Sequence, residues 1–195
     1  VDSCPIFALT RSNVTAASGE TFPVTALIAS ANAAHKFLGA KPGDTWSLLL
    51  PTNHVAGINV MTRSILLGSE LKTVDEIADF TSVVPTQLYS ALKSDSKLLS
   101  HLKGCKAVLV GGARLPENLF TDATKSGINV VTTYGATETC GGCIYDGVAL
   151  DGVEIKIENR KYFLKKNWKN YQKIRFFSKK MGVYTQFWGE NFLKF

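Results

Sequence analysis

Two short apolar runs, Ala107-Val108-Leu109-Val110 and Ile128-Asn129-Val130-Val131-Thr132-Thr133, bracket a segment opened by Pro116 and closed at Gly127. Both runs are too short and too rich in β-branched residues for helices, and they read as buried strands. Pro116 suits the first turn of a helix between them, where a missing N–H costs nothing. A strand–helix–strand unit of this length returns the chain to a parallel neighbouring strand. Parallel strands need cover on both faces, so this unit commits the chain to an α/β architecture.

The preceding residues repeat the rhythm. Leu27, Ala31, Ala34 and Leu38 recur at helical spacing within residues 25–38, and Gly39 ends the run. Trp46-Ser47-Leu48-Leu49-Leu50 reads as a strand stopped by Pro51. Residues 55–67 read as a helix, residues 70–74 and 80–84 as strands, and residues 86–102 as a helix broken near Ser94-Asp95-Ser96. From Gly147 the pattern changes: Val153-Glu154-Ile155-Lys156-Ile157-Glu158 alternates apolar and charged residues, the mark of an antiparallel strand with one wet face. The expected fold is therefore α/β, a largely parallel sheet with helices packed on it, followed by the start of a smaller antiparallel β subdomain. The expected division is 1–147 and 148–195.

Charge marks the same change. Residues 1–159 hold 12 Lys and Arg against 15 Asp and Glu, whereas residues 160–195 hold 10 against one. That tail interleaves cations with aromatics, as in Lys165-Lys166-Asn167-Trp168-Lys169 and Arg175-Phe176-Phe177. Such a pattern suits single-stranded nucleic acid, but a solvated amphipathic β-region is the commoner use of it. No apolar run is long enough to cross a bilayer, and Val1-Asp2-Ser3-Cys4-Pro5 lacks the features of a signal peptide. Four cysteines are few for a disulfide scaffold, so reduced thiols in a cytoplasmic protein are expected. Cys140-Gly141-Gly142-Cys143 lacks a second pair and reads as a tight loop rather than a zinc site.

In open α/β sheets ligands gather at the carboxyl ends of strands. One such end here is Gly111-Gly112-Ala113, where small residues let a flat ligand approach the backbone. The other is Tyr134-Gly135-Ala136-Thr137-Glu138-Thr139, a turn carrying an aromatic, a hydroxyl and a carboxylate. Tyr134 can lie against a base, Thr137 can bond phosphate, and Glu138 can bind magnesium, which takes few protein carboxylates and completes its shell with phosphate oxygens.

Together these two motifs, with Pro51-Thr52-Asn53-His54-Val55-Ala56-Gly57 upstream, resemble the core of the adenylate-forming acid–CoA ligases. Val84-Pro85-Thr86-Gln87-Leu88 and Thr139-Cys140-Gly141-Gly142-Cys143-Ile144-Tyr145-Asp146-Gly147 are similar to the o-succinylbenzoate–CoA ligase branch of that family. The resemblance covers residues 25–158. It implies an AMP-forming ligase that uses ATP, Mg2+ and coenzyme A to activate a carboxylic acid, here o-succinylbenzoate, in menaquinone biosynthesis. It implies that Gly111, Gly112, Ala113, Tyr134 and Gly135 flank the nucleotide, that Thr137 touches phosphate, and that Glu138 holds the metal. His54 would stand near the reacting acid, with a structural role at the start of a helix as the alternative. Gly141 and Gly142 would line the acid's pocket. Arg63, nine residues after His54, would grip the second carboxylate of a diacid; a solvated arginine on the helix face is the other reading. A homodimer is compatible with this class, and nucleic acid is disfavoured as a partner.

The sequence also departs from the family. In Ala17-Ser18-Gly19-Glu20-Thr21-Phe22-Pro23-Val24, Phe22 replaces an expected glycine of the phosphate loop and Val24 its lysine. Gln186 and Phe187 stand where a ribose-binding aspartate is expected, and no counterpart of the mobile C-terminal domain follows. A catalytically incomplete nucleotide-binding scaffold is therefore the alternative reading.

Overall fold

The computed structural model describes residues 13–15, 19, 21–158, 161–168 and 171–178. A short antiparallel hairpin, β1 (Asn13–Thr15) with β2 (Thr21–Pro23), leads into helix α1 (Val24–Leu38). Gly39 ends that helix at φ 64°, in the left-handed region that glycine tolerates. Then follow β3 (Trp46–Ser47), α2 (Val55–Leu66), β4 (Leu71–Lys72), β5 (Phe80–Val83), α3 (Pro85–Lys93), α4 (Ser96–Gly104), β6 (Ala107–Val110), α5 (Glu117–Lys125), β7 (Val130–Ala136), β8 (Gly141–Tyr145) and β9 (Val148–Ala149).

A seven-stranded sheet takes the order β4-β3-β5-β6-β7-β8-β9. The first five of these are mutually parallel, and β8 and β9 add antiparallel. The α/β class with a mostly parallel sheet is as expected. Antiparallel pairing enters within the large sheet, at Gly141–Tyr145. A separate antiparallel sheet of β10 (Val153–Glu158), β11 (Lys161–Trp168) and β12 (Tyr171–Ser178) follows. The basic aromatic tail thus supplies two strands; residues 160, 169–170 and 179–195, including the positions of Gln186 and Phe187, lie outside the described residues.

The period of two along β6 builds two cores. Val108 and Val110 face Leu88, Leu102, Leu119 and Ile128 under α3, α4 and α5. Ala107 and Leu109 face the opposite way, toward Trp46, Val60, Phe80 and Tyr145 under α1 and α2. A strand buried on both sides must be apolar at every position, which is why this run carries no polar residue.

Three elements differ from expectation. The strand at Trp46 ends after Ser47: Leu48 still donates to Lys72 O at 3.0 Å, but Gln87 Nε2 then takes the Leu49 carbonyl at 2.9 Å and the ladder stops. Gln87 Oε1 also accepts from Val84 N at 2.9 Å, so one side chain caps α3 and anchors it to the end of β3. Pro116 stands at the N-cap of α5, one residue before its first turn. Tyr134, Gly135 and Ala136 belong to β7 rather than to a turn, because β8 pairs with them; the turn proper is the 3₁₀ segment Thr137–Thr139 and Cys140.

Candidate active site

The carboxyl ends of β5, β6 and β7 open on one side of the sheet, and α2 crosses in front of them. Their arrangement depends on close backbone contacts. A Cβ at Gly57 would lie 2.2 Å from the carbonyl oxygen of Pro51, whose oxygen also accepts from His54 N at 3.3 Å. The Pro51-x-x-His54-x-x-Gly57 spacing is thus a packed turn that sets the start of α2. A Cβ at Gly111 would lie 2.3 Å from Thr133 Oγ1, and one at Gly135 would lie 2.2 Å from the carbonyl oxygen of Gly141. These glycines bring β6, β7 and β8 closer than side chains allow. A bulge between Tyr134 and Gly135 re-aims the end of β7.

The result is a cleft of about 260 Å³, lined by Arg63, Ser82, Gly111, Gly135, Thr137 and Gly142 among others. A smaller recess of about 80 Å³, lined by Ala113 and Tyr134, adjoins it through Gly112, Thr133 and Gly135. Of the residues singled out in the sequence, Arg63, Gly111, Gly112, Gly135, Thr137, Gly141 and Gly142 line the cleft. Gly112, Ala113, Tyr134 and Gly135 line the recess. His54 is the N-cap of α2 and lines neither; it is exposed, and its imidazole makes no capping bond. Glu138 sits on the 3₁₀ turn beside Thr137.

Arg63 is the outstanding charge. It is 4% exposed, so the reading of a solvated arginine is overturned: α2 turns this position toward the sheet instead of the solvent. Its guanidinium stacks over the Trp46 ring at 5.0 Å. Nη2 donates to the Tyr145 hydroxyl at 2.8 Å and Nη1 reaches Ser82 Oγ at 3.5 Å. Nε is buried with no hydrogen-bond partner, and no carboxylate lies within ion-pair distance among the described residues. A buried cation without a counter-ion is costly. Burial lowers the His35 imidazole to about 4, with the Arg63 charge adding to it. Burial raises the Tyr145 phenol, against the opposing pull of Arg63.

One turn before Arg63, Asn59 lines the same cleft. Its Nδ2 donates to Val55 O at 2.8 Å and to Cys140 O at 3.2 Å, which fixes the orientation of the amide. Asn59 therefore ties α2 to the turn after Thr137. Thr139 Oγ1 bonds Ala136 and Gly141 within that turn. Cys140 adopts φ 55°, and its buried side chain packs with Phe22, Ala26, Leu27 and Ile58. Cys143 packs instead with Ile144 and Tyr134, and its thiol donates to Tyr134 O at 3.3 Å. The two cysteines thus belong to different apolar clusters. No group of three metal-ligating side chains occurs among the described residues.

Phe22 is 1% exposed and anchors the hairpin to α1 and α2. The sequence reading missed Trp46, Asn59, Ser82 and Tyr145. Asn59 and Arg63 did carry a signal: polar residues four apart on an apolar helix share one face. Ser82 and Tyr145 carried none, because they meet Arg63 only through the tertiary fold.

Residues 21–162 match the AMP-binding enzyme family. A probable 2-succinylbenzoate–CoA ligase of Mycobacterium tuberculosis (strain CDC 1551 / Oshkosh) is 39% identical over 157 residues, covering 71% of this chain and 40% of that protein. The 2-succinylbenzoate–CoA ligase of Escherichia coli K12 is 36% identical over 138 residues, covering 63% of this chain and 30% of its own length. Among solved structures, wild-type E. coli MenE with a bound m-phenylether-linked analogue of OSB-AMS superposes with a TM-score of 0.66 at 28% identity, over 79% of this chain and 38% of that one. The chain therefore spans well under half the length of these relatives.

Proposed function

Because the chain belongs to the AMP-binding enzyme family, we propose that it forms the nucleotide- and acid-binding part of an AMP-forming acid–CoA ligase, with o-succinylbenzoate as its acid and menaquinone biosynthesis as its setting. The observation that carries the choice of acid is Arg63, a buried cation on the cleft wall with an unbonded Nε and no carboxylate within ion-pair distance among the described residues. A diacid supplies the missing anion while its other carboxylate reacts. The names of the relatives support the same reading.

In the first step a carboxylate oxygen of the acid attacks the α-phosphorus of ATP, the bond to the β-phosphate oxygen breaks, and pyrophosphate leaves. In the second the coenzyme A sulfur attacks the acyl carbonyl, its proton is lost, and AMP departs. The recess at Gly112, Ala113, Tyr134 and Gly135 suits a flat base, since small residues and one aromatic face it. Thr137 borders the cleft within reach of a phosphate there. Gly141 and Gly142 line the cleft that would take the acid, whereas His54, exposed at the start of α2, lines neither cleft nor recess and stays outside this arrangement. The glycine-edged cleft and a lone acid on the turn fit a metal–nucleotide complex: Glu138 would hold Mg2+ together with the nucleotide's own oxygens, and the ion would neutralise phosphate charge.

Pyrophosphate–ATP exchange dependent on o-succinylbenzoate tests the reading. Arg63→Ala should raise the apparent KM for the diacid about 10–100-fold, the range for losing charge-assisted hydrogen bonds, and leave that for ATP within about twofold. Equal effects on both substrates would remove Arg63 from the acid site, and no exchange by the unaltered chain would remove the ligase reading. One observation favours a second reading: Phe22 is built into the core where the phosphate loop needs a glycine. A nucleotide-binding scaffold without turnover would bind AMP and give no exchange.

A further inference from the structure

Resting on that reading, we propose that Tyr145 is a specificity-determining residue of the cleft, its hydroxyl oxygen accepting from Arg63 and its own proton donated to the non-reacting carboxylate of the diacid. Three observations meet at this side chain. Its hydroxyl lies 2.8 Å from Arg63 Nη2, Tyr145 borders the same cleft as Arg63, and Arg63 Nε is buried and unbonded. A guanidinium has only donors, so in this pair the phenol must be the acceptor, which leaves the phenol's hydrogen uncommitted to Arg63. The ring is held from two sides. Phe37 meets it edge-on at 5.4 Å between centroids, and a Cβ at Gly142 would come within 2.5 Å of Cε1 and 2.8 Å of Oη.

Gly142 is thus small because the Tyr145 ring occupies the space beside it. Burial keeps the phenol protonated at neutral pH, so the donor is present when the acid arrives. Arg63 and Tyr145 together present N–H and O–H donors to one anion from two elements, α2 and β8. The charged donor supplies attraction, and the phenol supplies direction. A monoacid finds neither use nor obstacle there.

The test is calorimetric titration of the full chain with o-succinylbenzoate, with the analogue lacking its aromatic carboxylate, and with AMP. Tyr145→Phe keeps the ring and should weaken the diacid about tenfold, the effect of one hydrogen bond to a charged group. The analogue and AMP should stay within about twofold. Gly142→Ala moves the ring and also alters the cleft wall, so it should weaken both acids, the diacid by more, and leave AMP within about twofold. AMP binding by each variant reports that it is folded. An equal loss for both acids, or an unchanged diacid affinity in Tyr145→Phe, overturns the proposal. If the unaltered chain binds AMP but neither acid, the ligase reading fails and this proposal with it.

Discussion

The imidazole of His35 lies in the core on α1, with Nε2 buried and unbonded and its ring tilted against Trp46 at a centroid distance of 6.4 Å. Desolvation and the neighbouring Arg63 charge lower it from 6.5 to about 4. In the unfolded chain it protonates near 6.5, so between 6.5 and 4 the unfolded state binds a proton that the folded state refuses. The contribution to stability is whole above that window, falls as pH drops through it, and is gone below it. His35→Gln should therefore flatten the pH dependence of the urea midpoint between pH 7 and pH 4. Parallel curves for the variant and the parent would show that another group sets the slope. His35 and Arg63 both sit against Trp46, and the Arg63 charge adds to the desolvation that makes protonation of His35 unfavourable.

Between elements, the decisive contact is the one joining β7, the following 3₁₀ turn and β8. The bulge at Tyr134/Gly135 and the close approach of Gly135 to the Gly141 carbonyl let the turn fold back over the cleft. Asn59 then pins that turn to α2 through the Cys140 carbonyl. A methyl group at position 135 has backbone, not a flexible side chain, in its way. Gly135→Ala should cost about 1–3 kcal/mol, the range for forced overpacking, and should also abolish measurable AMP binding, because the strand ends that form the recess must separate. Denaturant unfolding checks the first outcome and calorimetry the second; a stable variant that binds AMP normally would show that the strands can part without harm to the site.

For the whole molecule, the two cores share one sheet, and the alternate residues of β6 belong to opposite sides of it. Damage on one face should therefore be felt on the other. Leu102, on the sheet-facing side of α4, is fully buried. Leu102→Ala should destabilise the protein by about 2–5 kcal/mol, the usual range for such a cavity. Amide exchange in α2, across the sheet, should speed by the corresponding factor if the layers unfold together. Unchanged exchange in α2 would mean that the two layers open independently. No described helix is long and apolar enough to cross a membrane.

Much of this was legible in the sequence because it is local. The helix over residues 25–38, the break between α3 and α4, and the strand runs at residues 107–110 and 130–133 follow from spacing, caps and β-branched composition over a few residues. The glycine-rich strand ends were legible for the same reason: a glycine beside a buried strand is a local mark of close approach, and the structure supplies the atoms approached at Gly111 and Gly135. The extent of β7 was not, since a strand end gains or loses pairing according to a partner elsewhere in the chain. The environment of Arg63 was not either. Trp46, Ser82 and Tyr145 stand 17, 19 and 82 residues from it in the chain, and only sheet order and helix packing bring them to one guanidinium. Sequence alone determined the helices and parallel strands of the α/β core and where its strand ends would gather glycines, but not the β1–β2 hairpin or the antiparallel strand β8. The tertiary structure decided that position 63 is buried, against Trp46 and Tyr145 and with no carboxylate in ion-pair range among the described residues, because burial and hydrogen-bond partnership belong to the fold and not to the chain.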